Sequence, residues 1–190
     1  MVATAYQTSP EGSRRAGAMP GLAFGLALVV LCLAPSAKAD ALSAGERAFA
    51  RQDYAGAAPV LLVEAERGVA TAQTYVGYMY QNGLGVPRNY AVAARWLNQA
   101  AEQGEPTGQF LLGLLFDKGF GVPQDWVAAE VWLILAAAHA GGTRQQEYFG
   151  RVRDAVAQKL TLDQLAEAQR QAASWAPIVG RNFGPFSARY

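Results

Sequence analysis

Residues 77–104 read GYMYQNGLGVPRNYAVAARWLNQAAEQG, and 36 positions on, residues 113–140 read GLLFDKGFGVPQDWVAAEVWLILAAAHA. Gly77, Gly83, Gly85, Val86, Pro87, Ala93, Trp96, Leu97, Ala100 and Ala101 return unchanged as Gly113, Gly119, Gly121, Val122, Pro123, Ala129, Trp132, Leu133, Ala136 and Ala137. The same offset runs backward, linking Tyr54, Ala57, Ala58, Leu61, Ala65, Glu66 and Gly68 to Tyr90, Ala93, Ala94, Leu97, Ala101, Glu102 and Gly104. A period of roughly 20–50 residues marks stacked supersecondary units, each unable to bury its apolar face alone.

Each unit reads as helix, glycine loop, helix. The spacing predicts helices from Thr71 to Asn82 and Tyr90 to Glu102, then from Thr107 to Lys118 and Trp126 to Ala138. Gly83 and Gly119 stand where a helix end wants a left-handed residue. Asp53, Asn89 and Asp125 precede second helices and suit N-caps. In those helices Ala93, Trp96, Leu97, Ala100 and Ala101 share one apolar face. Gly77 and Gly113 sit inside first helices, where glycine costs about 1 kcal/mol relative to alanine. Close approach of a neighbouring helix faced with alanine is the expected reason.

Thirteen positions, Ala72, Val76, Gly77, Tyr80, Gly83, Gly85, Val86, Asn89, Ala93, Trp96, Ala100, Ala101 and Gly104, follow one recurring pattern. The second unit follows it through Leu112, Gly113, Phe116, Gly119, Gly121, Val122, Asp125, Ala129, Trp132, Ala136 and Ala137, departing at Gly108, Phe116 and Gly141. The pattern resembles the Sel-1-like repeat, a relative of the tetratricopeptide repeat with a longer glycine-rich loop. The resemblance covers residues 71–141 and implies an all-α, right-handed solenoid of antiparallel hairpins.

On either side the pattern thins. Residues 40–70 read as a shorter tetratricopeptide-like hairpin, Leu42 to Gln52 and Tyr54 to Arg67, with Pro59 expected to kink its second helix. Residues 142–177 read as capping helices. Tyr148, Val152, Ala155, Val156 and Leu160 mark one apolar stripe, and Thr161 with Gln164 has capping-box spacing ahead of a helix closing near Trp175. Residues 178–190 lack periodicity and read as a loose tail.

The first 39 residues read as a signal peptide. Arg14 and Arg15 precede an apolar run from Leu22 to Leu33, and Ala37-Lys38-Ala39 fits a small-x-small cleavage site before Asp40. The alternative is an uncut segment that tethers the protein to the inner membrane. Cleavage after Ala39 takes three of the 16 basic residues and one of the 15 acidic, leaving 13 and 14 and a formal net charge of −1. That balance offers no basic stripe for a phosphate backbone, so nucleic acid is not expected as a partner. The single cysteine, Cys32, leaves with the signal, which removes thiol redox chemistry and cysteine-held metal.

No catalytic, metal or cofactor set emerges. His139 is the only histidine and reads as a helix-terminal residue favoured by the helix dipole. The Gly-x-Gly-Val-Pro loops follow helices rather than strands and carry no lysine or serine at a phosphate-binding offset. Glu64, Glu66 and Glu102 read as solvated surface, and Trp96 and Trp132 as core. The resemblance places an inner groove along the first helices, lined by Thr74, Tyr78, Gln81 and Asn82, then Phe110, Leu114, Asp117 and Lys118. Tyr78, Phe110 and Leu114 are large and apolar, which suits anchoring a peptide or partner segment. Two outcomes stay open for that face: it binds a partner, or the C-terminal helices cover it.

Val131, Ile134 and Leu135 replace Arg95, Asn98 and Gln99 of the first unit, so the second unit's last helix needs cover on every side. The C-terminal helices are the expected cover. The resemblance implies a periplasmic or secreted adaptor that binds a protein or peptide partner in the cell envelope, without enzymatic activity or cofactor. A different class is an envelope enzyme or small-ligand binder related to β-lactams or peptidoglycan. The Sel-1-like proteins linked to β-lactams carry a disulfide in each repeat, which this chain lacks.

Overall fold

The computed structural model describes residues 37–178. The apolar run from Leu22 to Leu33 and all but the first residue of the 178–190 segment lie outside the described residues. Eight helices follow in order: α1 (Ala37–Ala50), α2 (Tyr54–Glu66), α3 (Ala70–Asn82), α4 (Tyr90–Glu102), α5 (Pro106–Lys118), α6 (Trp126–His139), α7 (Thr143–Ala157) and α8 (Leu162–Ser174). Among the described residues there is no strand, and no helix is long and apolar enough to cross a membrane. Each helix packs on the next through α7, and α8 returns onto α6.

The two long hairpins, α3–α4 and α5–α6, are built alike. Gly83 (φ 71°, ψ 37°) and Gly119 (φ 69°, ψ 32°) close the first helices in the left-handed region. Asn89 Oδ1 accepts from the Val92 N–H at 3.1 Å and Asp125 Oδ1 from the Ala128 N–H at 3.0 Å. Asp53 caps α2 in the same way. Pro106 opens α5, one residue before the expected start, where a missing N–H costs nothing. α2 continues through Pro59 as one helix, with the proline exposed to solvent.

The helical glycines admit a leucine side chain as well as the alanine backbone expected from sequence, with Ala93 and Ala129 carbonyls 3.3 and 3.1 Å from the Cβ positions of Gly77 and Gly113. A Cβ on Gly77 would lie 2.6 Å from Leu97 Cγ, and one on Gly113 2.9 Å from Leu133 Cγ. Leu97 and Leu133 are fully buried, so the glycine cost is offset by a side chain sunk against the opposing backbone. Gly45 and Leu61 repeat this contact in α1–α2. The pair lies 16 residues apart instead of 20, because the intervening loop is four residues shorter.

Buried glutamines join one hairpin to the next. Gln73 Nε2 donates to the Ala65 carbonyl and Gln109 Nε2 to the Ala101 carbonyl, both at 3.1 Å, and both side chains are fully buried. On the other side Gln103 Nε2 donates to Gln73 Oε1 at 2.7 Å, while His139 Nδ1 meets Gln109 Oε1 at 2.9 Å. Gln103 and His139 occupy the same repeat position. With the Gln109 amide NH₂ committed to Ala101, its Oε1 accepts, so His139 Nδ1 carries the proton. Gln109→Ala is expected to lower unfolding free energy by about 2 kcal/mol, because it strands buried polar groups. Urea denaturation measures this; a loss no larger than that of an exposed Gln146→Ala would refute it.

The C-terminal helices divide their work. α8 lays Ala168 and Ala172 on Val131 and Leu135 of α6, supplying the expected cover. Trp175 then meets Trp132 edge-on, with centroids 6.4 Å apart, and lies 5.3 Å from the His139 ring. The Ile178 N–H donates to the Glu102 carbonyl at 2.8 Å, so the described chain ends anchored across the α4–α5 junction.

Candidate partner-binding surface

The first helices of successive hairpins stand side by side. Phe49 of α1 packs edge-on against Tyr75 and Tyr78 of α3, with centroids 4.9 and 6.0 Å apart. Thr74 Oγ1 of α3 donates to Glu105 Oε2 at the start of α5, at 2.6 Å. Phe110 of α5 stacks on Phe149 of α7, with centroids 4.2 Å apart and planes inclined by 13°. α7 therefore takes the place of one further first helix.

This arrangement sorts the eight candidate residues. Tyr78 is 38% exposed, Leu114 is half-buried, and Asn82 and Lys118 are exposed. Gln81 is half-buried, with its Oε1 enclosed and without a hydrogen-bond partner. Thr74, Phe110 and Asp117 are buried, against expectation. Thr74 is held by Glu105, Phe110 is capped by Phe149, and Asp117 is enclosed by lysines. The covering outcome thus holds for the α5 end of the face around Phe110, and the α3 end around Tyr78 remains open.

One further residue completes the face. Tyr148 is 50% exposed and sits 5.5 Å from the Phe110 ring, although its place in the predicted stripe made it a core residue. Phe149 and Val156, two helical turns apart, form the buried side of α7 instead, and Ala155 is exposed. Between α5 and α7 lies a cleft of about 470 Å³ lined by Leu114, Tyr148, Val152, Lys118, Arg151 and Lys159, among others.

Asp117 forms the base of this cleft. Its Oδ1 accepts from Lys159 Nζ, and its Oδ2 pairs with Lys118 Nζ at 2.9 Å. Burial alone would raise its pKa, but the hydrogen bonds from Lys159 and Lys118 hold the carboxyl below its ordinary range. Glu64 corrects the surface reading: it is buried, with Oε1 bound to Arg67 and Oε2 unpartnered. Glu66 is exposed, and Glu102 accepts from Asn98 at 3.0 Å. Trp96 is buried and Trp132 half-buried, both packed within apolar clusters. Among the described residues no group of three or more His, Cys, Asp or Glu is placed to hold a metal ion.

A Sel1 repeat family model matches residues 70–105 and 106–140, which coincide with the hairpins α3–α4 and α5–α6. The chain carries two Sel1 repeats. Its solved structural neighbours are of the same kind. One is a protective antigen present in uropathogenic Escherichia coli strains displaying an SLR fold. It is 27% identical, with a TM-score of 0.65 over 73% of this chain and 29% of that one. Another is a Sel1 repeat protein from Oxalobacter formigenes, 27% identical, with a TM-score of 0.54 over 71% of this chain and 56% of that one. The chain thus spans under a third of the first neighbour and just over half of the second. No curated protein matches it. Sel1 repeats generally mediate protein–protein interaction, and proteins built from them are typically non-enzymatic scaffolds.

Proposed function

We propose that this protein is an adaptor of the cell envelope, exported to the periplasm or beyond, that docks a partner protein on its first-helix face. The observation that carries the reading is the line of Tyr78, Leu114 and Tyr148 across α3, α5 and α7, where two large aromatic side chains stay open to solvent. Tyrosine at such a face supplies contact area with little conformational entropy to lose, which is the chemistry of interface anchors. Regulation of an envelope complex or sensor is the role this surface suits.

Export rests on the charged and apolar pattern of residues 14–39. Cleavage after Ala39 removes three residues from the start of α1 and leaves Asp40 in the first turn of the remaining helix, where a carboxylate is favourable. Sequencing the N-terminus of the exported protein tests this, and a start at Asp40 is the expected result. An uncut chain recovered with the inner membrane supports the tethered alternative.

The docking face is tested by placing a photo-crosslinking amino acid at position 78, 114 or 148, with exposed Leu162 on α8 as control. Adducts specific to the first three sites are expected. Tyr78→Ala with Tyr148→Ala should cut partner recovery at least about tenfold, since two anchors of roughly 1 kcal/mol or more are lost. Undiminished recovery by the folded double variant would remove this face from consideration.

A further inference from the structure

The cleft between α5 and α7 has a charge pattern that narrows the partner. Its lining holds one carboxylate, Asp117, whose side chain is 4% exposed and whose two oxygens are both committed to lysines. While paired with it the lysines stay open to solvent, the Lys118 side chain being 57% exposed and that of Lys159 37%. Arg151, also exposed, has no ion-pair partner among the described residues. Glu147 and Asp154 lie on the same helix outside the lining, Asp154 being held by Arg153. A visitor to the cleft therefore meets three cations above one neutralised carboxylate. Beside them Leu114, Val152 and the Tyr148 ring form an apolar wall.

We infer that this cleft takes an acidic segment of a protein partner, one apolar side chain of which rests on Leu114 and Tyr148 while flanking carboxylates meet Arg151 and Lys118. The inference rests on the docking role proposed for the face and names the chemistry of its occupant. A bare inorganic anion would leave the apolar wall unused. A nucleic acid needs a longer basic track than three side chains supply. The cleft's volume lies in the range that encloses a few side chains, and Leu114 in its lining holds the repeat position of Tyr78. Opposite charge across such a surface steers encounter and sets register.

The test uses the exported chain labelled with ¹⁵N and the peptide acetyl-Asp-Glu-Phe-Asp-Glu-amide at up to about 1 mM, a range that detects even weak binding. Saturable amide shifts are expected around Leu114, Tyr148, Arg151 and Val152. They should weaken at least about tenfold in Arg151→Glu/Lys118→Glu and fade as salt approaches about 0.5 M. Arg151→Gln, a milder surface change, should give an intermediate loss, and circular dichroism checks that each variant is folded. Absence of shifts overturns the inference, as does equal binding of acetyl-Asn-Gln-Phe-Asn-Gln-amide. Equal binding of the neutral peptide leaves docking on the face intact while removing its acidic preference. Phosphatidylglycerol vesicles bound in preference to the peptide, with the same dependence on Arg151, overturn the choice of a protein partner.

Discussion

Gly121→Ala is expected to cost more than about 3 kcal/mol of stability, whereas the same change at Gly119, two residues earlier, should cost about 1 kcal/mol. Both residues have positive φ, 74° and 69°, so both substitutions carry the left-handed penalty. Their surroundings differ. A Cβ on Gly119 meets Gln124 Cβ at 3.2 Å and the Gln124 nitrogen at 3.4 Å, a tight contact that a small shift within the loop relieves. A Cβ on Gly121 falls 2.2 Å from the Tyr90 carbonyl oxygen and 2.6 Å from the Ala91 nitrogen, in the backbone of the preceding hairpin's second helix. Relief requires lifting the loop from the start of α4, which also breaks the stack of half-exposed Phe120 on Tyr90, now 4.8 Å between centroids. Gly85 meets the Tyr54 carbonyl at 2.3 Å and should behave like Gly121. Denaturant titration of the two variants decides the matter, and equal losses at 119 and 121 would show that the loop does not bear on α4 as described.

The second large effect depends on pH. Glu130 is 2% exposed within α6, and its Oε2 has no hydrogen-bond partner. Burial pushes its pKa from 4.5 to about 7, Arg153 opposing and Asp154 reinforcing the shift. Between those values the folded protein holds a proton that the unfolded chain has released. Stability therefore falls as pH rises from about 4.5 to about 7 and then levels, by on the order of 3 kcal/mol for this group alone. Glu130→Gln keeps the shape and abolishes the titration. It should match the parent near pH 5 and exceed it at pH 8. Melting temperatures at pH 5, 6.5 and 8 measure the difference, and parallel pH profiles for the two proteins would reject it. The first repeat has Ala94 at this position, so the device belongs to the second repeat, where α7 brings Arg153 and Asp154 near.

Features with repeated side-chain chemistry could be read directly from the chain. Asp53, Asn89 and Asp125 cap helices, Gly83 and Gly119 close them, and Trp96 and Trp132 pack, because each has a partner one period away. Legibility ends where a residue has no such partner at the common offset. Gly45 escapes because a loop four residues shorter breaks the 36-residue offset. Adjacent Tyr148 and Phe149 are both apolar, and the spacing to Val152 and Ala155 favours Tyr148. The buried member is Phe149, chosen by the complementary ring of Phe110 on a distant helix. Gln73 and Gln109 look like surface residues by composition, yet their identity at the common offset was a legible sign of buried straps. The groove was legible as a location, but its occupancy was not. Whether Phe110 faces a partner or α7 depends on how the chain beyond Gly141 turns, and no periodicity encodes that turn.

The loop of each long hairpin rests on the opening residues of the second helix before it, Gly85 on Tyr54 and Gly121 on Tyr90. The hairpins α1–α2 and α3–α4 thus each offer the next loop the same seat, the start of a helix that opens Tyr-Ala. A copy of residues 70–105 spliced in before Pro106 would find both of its seats prepared, the old one behind and its own offered ahead. The length of this molecule is in that sense adjustable, since an inserted copy needs neither end redesigned.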